Sequence, residues 1–217
     1  MLRPEDPMIK TRAKSVLADL AAKLKQHGFN KRGNVYVRQS EEVFQMVDVQ
    51  YSRWNDAEEV NFTLNGGVYV PGVTSRFSNS PEPKRPKLRD CCITVRVGML
   101  TESHLDVWWK MSASDGVLVD RKIKEEIASI TENTLMPFLE RFRDAKAVAG
   151  FLSKQPATED QHIEPSAEGL RLSYAAIIWA KLGASDRCQT CLERAMQRSR
   201  NTPLEGTVTS FTKRFSC

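Results

Sequence analysis

The sequence predicts an α+β protein in which helices cover one face of an antiparallel sheet of about five strands. Apolar residues recur at helical spacing near the N-terminus, and helical spacing returns after residue 119. Between these segments lie runs of alternating apolar and polar residues, rich in valine and aromatics. Consecutive strands flanked by helices are typical of the α+β class, whereas regular alternation of strand and helix would indicate a parallel sheet.

Composition and the N-terminus predict a globular cytoplasmic protein. The 217 residues are 41% hydrophobic and 27% charged, which is enough apolar material for a sizeable core. The opening "MLRPEDPMIKTRAK" lacks the apolar run of a signal peptide, and no stretch approaches the ~18 apolar residues of a membrane span. Five irregularly spaced cysteines favour reduced thiols over a disulfide framework.

The first element is expected to be an amphipathic helix from about Ile9 to His27. Its apolar positions follow the 3.6-residue period of a helix and are Ile9, Ala13, Val16, Leu17, Leu20 and Leu24. Gly28 suits the left-handed position that ends a helix, and Phe29 can then fold back onto Leu24.

Three strands should follow the helix. "NVYVRQ" from Asn34 and "EVFQMVDVQYS" from Glu42 are separated by polar residues and predict a hairpin. The third strand, "EVNFTLNGGVYV" from Glu59, alternates between apolar and polar residues from Val60 to Asn65. Gly66 and Gly67 are expected to mark a bulge or bend in it.

The next segment, residues 75–90, is expected to be an exposed loop because it carries three prolines among charges. Its basic cluster Lys84, Arg85 and Lys87 resembles a nuclear-localisation signal, but such clusters are also common in solvated loops. Beyond this loop, "CCITVRVGM" and "LDVWWKM" are expected to form a last pair of strands, joined around residues 101–104.

Helices are expected in the rest of the chain. Periodicity from Val119 to Leu135 indicates a helix. Pro137 either kinks this helix or begins a second helix that runs toward Phe151. We expect a main domain over residues 1–152, a polar linker over 153–165, and a helical hairpin with a tail over 166–217. The hairpin resembles a single tetratricopeptide-type repeat, and one such unit must pack on another surface to bury its apolar side.

Several stretches together resemble a bacterial family, the domain-of-unknown-function family 4304. They are "LAAKLKQHGFNKRGNVYVR", "FQMVDVQYS", "VNFTLNGGVYVP" and "DVWW" followed by "LMPFLERF". The resemblance covers residues from about Ile9 to Phe151. It implies the helix–sheet–helix order and supplies no activity and no catalytic residues, so fold alone is inferred from it. The loop from Ser75 and the C-terminal hairpin are additions to the common core.

The adjacent tryptophans of "LDVWWKM" point to opposite sides of a strand. One parity collects apolar residues: Val60, Phe62, Leu64, Ile93, Val95, Val97, Leu105, Val107, Trp109 and Met111. The other parity collects Asn61, Thr63, Asn65, Thr94, Arg96, Asp106, Trp108 and Lys110. We therefore expect Trp109 in the core. Trp108 should lie on a polar face with Arg96 and Asn61 nearby, covered either by the C-terminal hairpin or by a partner protein.

The sequence offers no convincing catalytic, cofactor or metal site. Cys188 and Cys191 have CxxC spacing but fall within a helix, and Cys91 and Cys92 point to opposite sides of a strand, so packing thiols are favoured over zinc ligands. The three histidines, His27, His104 and His162, fall at a helix end, a turn and the linker, and are expected to be solvated. Motifs of hydrolases and nucleotide-binding loops are missing from the sequence. We expect a protein that is not an enzyme and needs no cofactor.

Two binding functions remain open. The first is recognition of another protein through Trp108, Arg96, Asn61, Thr63, Asp106 and Lys110, as a bacterial immunity or inhibitor protein would recognise a toxin. The second is a defence or regulatory role on nucleic acid, carried by basic residues of the first helix and the loop: Lys14, Lys23, Lys25, Lys84, Arg85 and Lys87. The solvated face of an amphipathic helix also accounts for the lysines of the first helix. No membrane partner is expected.

Overall fold

A computed structural model of the chain describes residues 8–40 and 42–217. Residues 1–7, the first half of the N-terminal stretch quoted above, lie outside the described residues. The strands are β1 Asn30–Arg32, β2 Val35–Gln39, β3 Phe44–Tyr51, β4 Glu59–Tyr69, β5 Ile93–Arg96 and β6 Trp109–Ser112. The helices are α1 Met8–Gln26, α2 Val73–Ser78, α3 Val117–Ile130, α4 Met136–Glu140, α5 Ala145–Ser153, α6 Glu168–Lys181, α7 Ser185–Ser199 and α8 Glu205–Arg214. This arrangement confirms the α+β class.

Helix α1 forms as its periodicity predicts, and all six apolar positions of its stripe are buried. It ends in the expected Schellman arrangement. Gly28 has φ of 83°, and the amide of Phe29 donates to the carbonyl of Leu24 at 2.9 Å. Glycine adopts this left-handed conformation without the steric cost that a side chain would add.

The described strands form one antiparallel sheet in the order β1-β2-β3-β4-β5, with β6 also paired to β4. The hairpin of β2 and β3 is confirmed, and β3 pairs with β4 from Phe44 opposite Tyr69 to Tyr51 opposite Phe62. The sequence did not indicate β1, because its three residues are all polar and exposed.

The prediction that the last two strands pair with each other is wrong. Strand β5 pairs with residues 65–68 of β4, whereas β6 pairs with residues 59–62, so the two short strands follow one another along the same edge of β4. A 3-10 turn at Val97–Leu100 leads the chain away from the sheet between them. Strand β6 begins only at Trp109, and Leu105, expected on the apolar side, is 65% exposed.

Gly66 and Gly67 do not form a bulge, because the pairing of β3 with β4 runs through both without an extra residue. They instead allow close approach on the two sides of the sheet. A β-carbon on Gly66 would lie 3.0 Å from the Leu135 side chain, and one on Gly67 would lie 2.7 Å from Leu88 and 2.8 Å from the Cys91 sulfur. A side chain at either position would overpack the site.

The core lies between the apolar side of the sheet and the helices. Trp109 is 4% exposed and packs on Phe62 with 5.7 Å between ring centroids, which confirms its predicted place. A π-helical turn, Thr131–Leu135, joins α3 to α4, and Pro137 lies in the first turn of α4. The backbone stays helical through this junction, where the amide of Met136 donates to the carbonyl of Thr131, and Pro137 has no amide hydrogen to donate.

The C-terminal hairpin is confirmed as α6 and α7, with Gly183 at φ 70° in the turn between them. Helix α8 follows and was not predicted. Apolar residues of α1, the sheet and the C-terminal helices belong to one connected cluster of buried side chains, which also includes Ile163 of the expected linker. Whether residues 1–152 fold independently of residues 166–217 stays a prediction.

The expectation that all thiols are reduced is corrected at one position. Cys188, buried in α7, forms a disulfide with Cys217 in the C-terminal tail, 29 residues further along the chain. The two residues meet because α8 carries the tail back along α7. Cys91, Cys92 and Cys191 are buried free thiols. None of the described helices has both the length and the apolar character of a membrane span.

Candidate functional site

The two faces of the sheet differ in what covers them. Helices pack on the face that carries Val60, Phe62 and Leu64, since Gly66 on that side meets Leu135 and Phe138. The opposite face carries the polar parity of β4 and its neighbours. We call it the open face and define it by Asn61, Thr63 and Asn65 of β4, Asp48 and Gln50 of β3, Arg96 of β5 and Lys110 of β6, together with Asp106 and Trp108 just before β6.

Trp108, Arg96 and Asp106 form a cluster on this face. One guanidinium nitrogen of Arg96 donates to both Asp106 oxygens, at 2.9 and 3.1 Å, and the guanidinium carbon lies 5.2 Å from the centre of the Trp108 ring. The Trp108 indole N–H donates to Asp106 at 3.0 Å. A cation over an indole face is attracted by the ring quadrupole, so these contacts hold the ring in place. Arg96 does lie beside Trp108, as the parity argument expects.

Trp108 remains 36% exposed. The hypothesis that the C-terminal hairpin covers it is wrong, because α6 packs on other elements. Tyr174 of α6 meets Phe77 of α2 at 5.4 Å between ring centroids, and Trp179 donates to Ser153 of α5 at 2.9 Å. Cover by a partner protein stays a prediction.

Polar side chains connect the cluster to the middle of the sheet. Gln50 accepts from Asn65 at 3.0 Å and from Arg96 at 3.5 Å, and Asp48 accepts from Asn65 at 3.4 Å. Burial raises the pKa of Asp48, and the hydrogen bond from Asn65 only partly opposes this. Thr63 is fully buried and donates to the carbonyl of Val107 at 2.7 Å, which ties the Trp108 segment to the sheet.

An ion pair lies at the end of the open face where β6 pairs with the start of β4. Lys110 pairs with Glu59, and the Asn61 amide donates to the same carboxylate at 2.6 Å. Hydrogen bonds from Lys110 and then Asn61 lower the pKa of Glu59. Lys110 and Asn61 therefore both bind Glu59, and the charges of Lys110 and Glu59 cancel at this end of the face.

A groove of about 920 Å³ lies at the other side of the open face. Its floor is formed by Val35, Val37 and Asp48, and one wall is the segment Lys84–Arg89. Five cationic residues line it: Arg32, Lys84, Arg85, Lys87 and Arg89. These five cations outnumber the single carboxylate of Asp48, so the electrostatic potential in the groove favours an anionic partner.

The segment predicted as an exposed loop, residues 75–90, is a mostly exposed loop only from 79 to 87. Residues 73–78 are helix α2, in which Ser75 and Phe77 are buried, and residues 88–90 form a 3-10 turn. Glu82 accepts hydrogen bonds from Tyr69, Ser75 and the Gly72 amide. Burial acts to raise the pKa of Glu82, but these hydrogen bonds outweigh it and lower the pKa. Glu82 thus anchors the segment on the sheet.

The six basic residues that the sequence singled out do not form one surface. Lys84, Arg85 and Lys87 lie on the open face, because Leu88 and Cys91 of the same segment pack against Gly67. Lys14, Lys23 and Lys25 belong to α1, which packs on the opposite face. Lys23 also pairs with Glu132 at 3.3 Å.

Sequence reasoning missed Arg32, Arg89, Asp48 and Gln50 as members of this face. Asp48 and Gln50 were detectable, because they share one parity in "FQMVDVQYS". Arg32 and Arg89 gave no local signal, since their proximity depends on how the segment from Ser80 to Asp90 folds over the sheet.

The cysteines and histidines show no activated nucleophile. Burial raises the pKa of Cys91 and Cys191, and raises that of Cys92 to about 12, so these thiols stay protonated. Of the three histidines expected to be solvated, His162 is exposed, whereas His27 and His104 are partly buried. His27 lies 3.1 Å from a Glu132 oxygen, and the His104 ring contacts the His162 ring at a 36° tilt with 4.8 Å between centroids. No cluster of three or more potential metal ligands occurs within the described residues.

Fold and site together define an α+β protein with one helix-covered sheet face and an opposite face that is exposed around Trp108. The segment containing Leu88 and Cys91 covers the other part of that face, where Met46 and Tyr69 are buried. The chain belongs to the family described as "Domain of unknown function (DUF4304)", whose model matches residues 20–141. The match spans α1 from Leu20, the whole sheet and α3 and α4, and it confirms the resemblance. No curated protein and no solved structure matches the chain.

Proposed function

We propose that this protein binds another protein through the open face and is not an enzyme. The observation that carries the proposal is Trp108, an indole 36% exposed among polar residues and oriented by Arg96 and Asp106. Tryptophan and arginine are enriched among the residues that contribute most to protein interfaces. Because Arg96 and Asp106 already fix the ring, docking onto it loses little side-chain entropy.

The basic groove beside this cluster supports an acidic partner surface. We favour a bacterial immunity or inhibitor protein that binds an antagonistic toxin in the cytoplasm. Complementary charge would increase the association rate and select the partner, while Trp108 would contribute most to the lifetime of the complex.

The test is the affinity of Trp108→Ala for the products of the genes encoded beside this one. For a product that binds the wild type, we expect a loss of about 2 kcal/mol, roughly thirtyfold in Kd. Calorimetry or biolayer interferometry would measure it. Trp54→Ala is the matched control, since Trp54 is 75% exposed and stacks on its neighbour Arg53. Equal affinities of Trp108→Ala and the wild type would contradict the proposal.

A second candidate is binding to nucleic acid, which the five cations of the groove favour. Phosphate contacts release counterions, so affinity should fall steeply with salt. Reversing Lys84, Arg85 and Lys87 to Glu should then abolish oligonucleotide binding and leave the melting temperature nearly unchanged, because these side chains are exposed.

The lysines of α1 supply the matched control for this experiment. Reversing Lys14, Lys23 and Lys25 changes the charge by the same amount on the opposite face of the sheet. Under the groove hypothesis this variant keeps most of its affinity in fluorescence anisotropy at low salt. Failure of the wild type to bind random oligonucleotides at low salt would exclude this second function.

A further inference from the structure

A second cavity lies away from the open face, between α5, α6 and the segment that joins them. Its volume is about 430 Å³, and its lining includes Arg141, Phe142, Phe151, Lys154, Asp160 and Arg171. Five of these six residues follow the end of the family match at residue 141, and Arg141 is its last residue. The cavity therefore lies at the C-terminal boundary of the family match.

Arg171 is the unusual member of this lining. It is 1% exposed, and its Nη2 donates to the carbonyls of Phe151 at 2.9 Å and Lys154 at 3.3 Å. Its Nε and Nη1 are buried and have no hydrogen-bond partner among the described residues. Burying a charged group costs several kcal/mol unless its donors are satisfied. Burial lowers the pKa of Arg171, yet a guanidinium remains charged at neutral pH.

The carboxylates nearest to Arg171 are engaged elsewhere. Both oxygens of Asp160 accept from Arg141, at 2.8 and 2.7 Å. Glu168 pairs with Arg194 at 3.4 Å and with Arg198 at 3.3 Å. Arg141 is thus paired, whereas Lys154 and Arg171 form no ion pair with a described residue. Their positive charge is what an anion in the cavity would balance.

Apolar groups form the other walls. The guanidinium carbon of Arg171 lies 4.7 Å from the centre of the Phe151 ring, and Phe142 meets Phe151 edge-on at 5.0 Å. Pro156 adds a further apolar surface. Small-molecule sites typically combine a few directed polar groups with apolar walls in a volume of about 300–1,000 Å³. This volume exceeds what a bare phosphate needs.

We propose that this cavity binds a small organic oxyanion, a carboxylate or phosphate group attached to an apolar body. The anion lies beside Arg171 and offsets its buried charge electrostatically, without direct contact with its buried nitrogens. The apolar body packs against Phe142, Phe151 and Pro156, and Lys154 at the exposed entrance adds a second positive charge. This site is separate from the open face, and its occupancy does not depend on the binding function proposed above.

Thermal unfolding of the full-length wild type at constant ionic strength tests the site with four probes: phenyl phosphate, benzoate, inorganic phosphate and the uncharged benzyl alcohol. A ligand that binds only the folded state raises the melting temperature with its concentration. We expect phenyl phosphate or benzoate to raise it, inorganic phosphate to act more weakly and benzyl alcohol to have no effect. No rise with either organic anion at tens of millimolar would overturn the proposal.

Variants identify the cavity as the site. By calorimetry, Arg171→Met should weaken binding of the organic anion at least about tenfold, and Lys154→Met by a few-fold, because each removes a positive charge beside the anion. Lys146→Met is the control, since this exposed lysine of α5 lines a neighbouring cavity. If Arg171→Met fails to fold, the test is whether Lys154→Met binds the organic anion more weakly than Lys146→Met does. Unchanged affinity in Lys154→Met and in any folded Arg171→Met would show that the anion binds elsewhere, and would overturn the proposal.

Discussion

Trp109→Ala is expected to lower the free energy of unfolding by about 3–5 kcal/mol. The side chain is 4% exposed, packs on Phe62, and donates its indole N–H to Glu126 of α3 at 3.2 Å. Truncation to alanine would leave a cavity between β6, β4 and the helices and remove the hydrogen bond to α3. Both losses fall at the contact between the sheet and its helical cover.

Urea unfolding of the wild type and the variant would measure this loss from the shift in midpoint at constant m. Trp108→Ala is the matched control, because it removes the same side chain from the adjacent, half-exposed position. We expect it to cost less than about 1 kcal/mol. Similar losses in the two variants would mean that the sheet does not separate a core face from an open face here.

Gly98→Ala should cost about 3 kcal/mol, at the upper end of the range for overpacking. A β-carbon on Gly98 would lie 2.6 Å from the amide nitrogen of Val107 and closer still to the carbonyl oxygen of Leu105. Backbone atoms cannot rotate away as a flexible side chain can. The segment before β6 would have to move, and with it the hydrogen bond from Thr63 to Val107 and the position of Trp108.

Gly150→Ala is the control for this substitution. Gly150 lies inside α5 with nothing within 4 Å of its β-carbon position, so alanine should stabilise the protein by about 0.5–1 kcal/mol through helix propensity. Calorimetric melting of both variants would show opposite shifts. A shift of Gly98→Ala as small as that of an exposed substitution would contradict the close packing of the Trp108 segment.

The sequence predicted the elements whose signal is local. The apolar stripe of α1, the alternation of β4 and the opposite orientations of Trp108 and Trp109 all depend on the period of one segment, and the structure confirms them. Side-chain parity alone, without knowledge of strand pairing, also predicted that Arg96 and Asp106 lie on the same face as Trp108.

Features that depend on distant residues were not predictable. Nothing in "CCITVRVGM" or "LDVWWKM" shows that each pairs with a different half of β4, because pairing is decided by the length of β4 and by the turn after Val97. The disulfide of Cys188 with Cys217 requires helix α8, whose sequence has a weak apolar pattern. The groove needs residues from β1 and from the segment around Lys87, which are more than 50 positions apart in the sequence.

Hydroxyl-radical footprinting of the complex with the partner protein tests the central claim, that the open face is the binding face. Trp108 is 36% exposed, and Met196 on α7, at 41%, provides an oxidisable reference of similar exposure away from that face. The expected result is that the partner protects Trp108 from oxidation and leaves Met196 as reactive as in the free protein. Protection of Met196 with unchanged oxidation of Trp108 would contradict the claim.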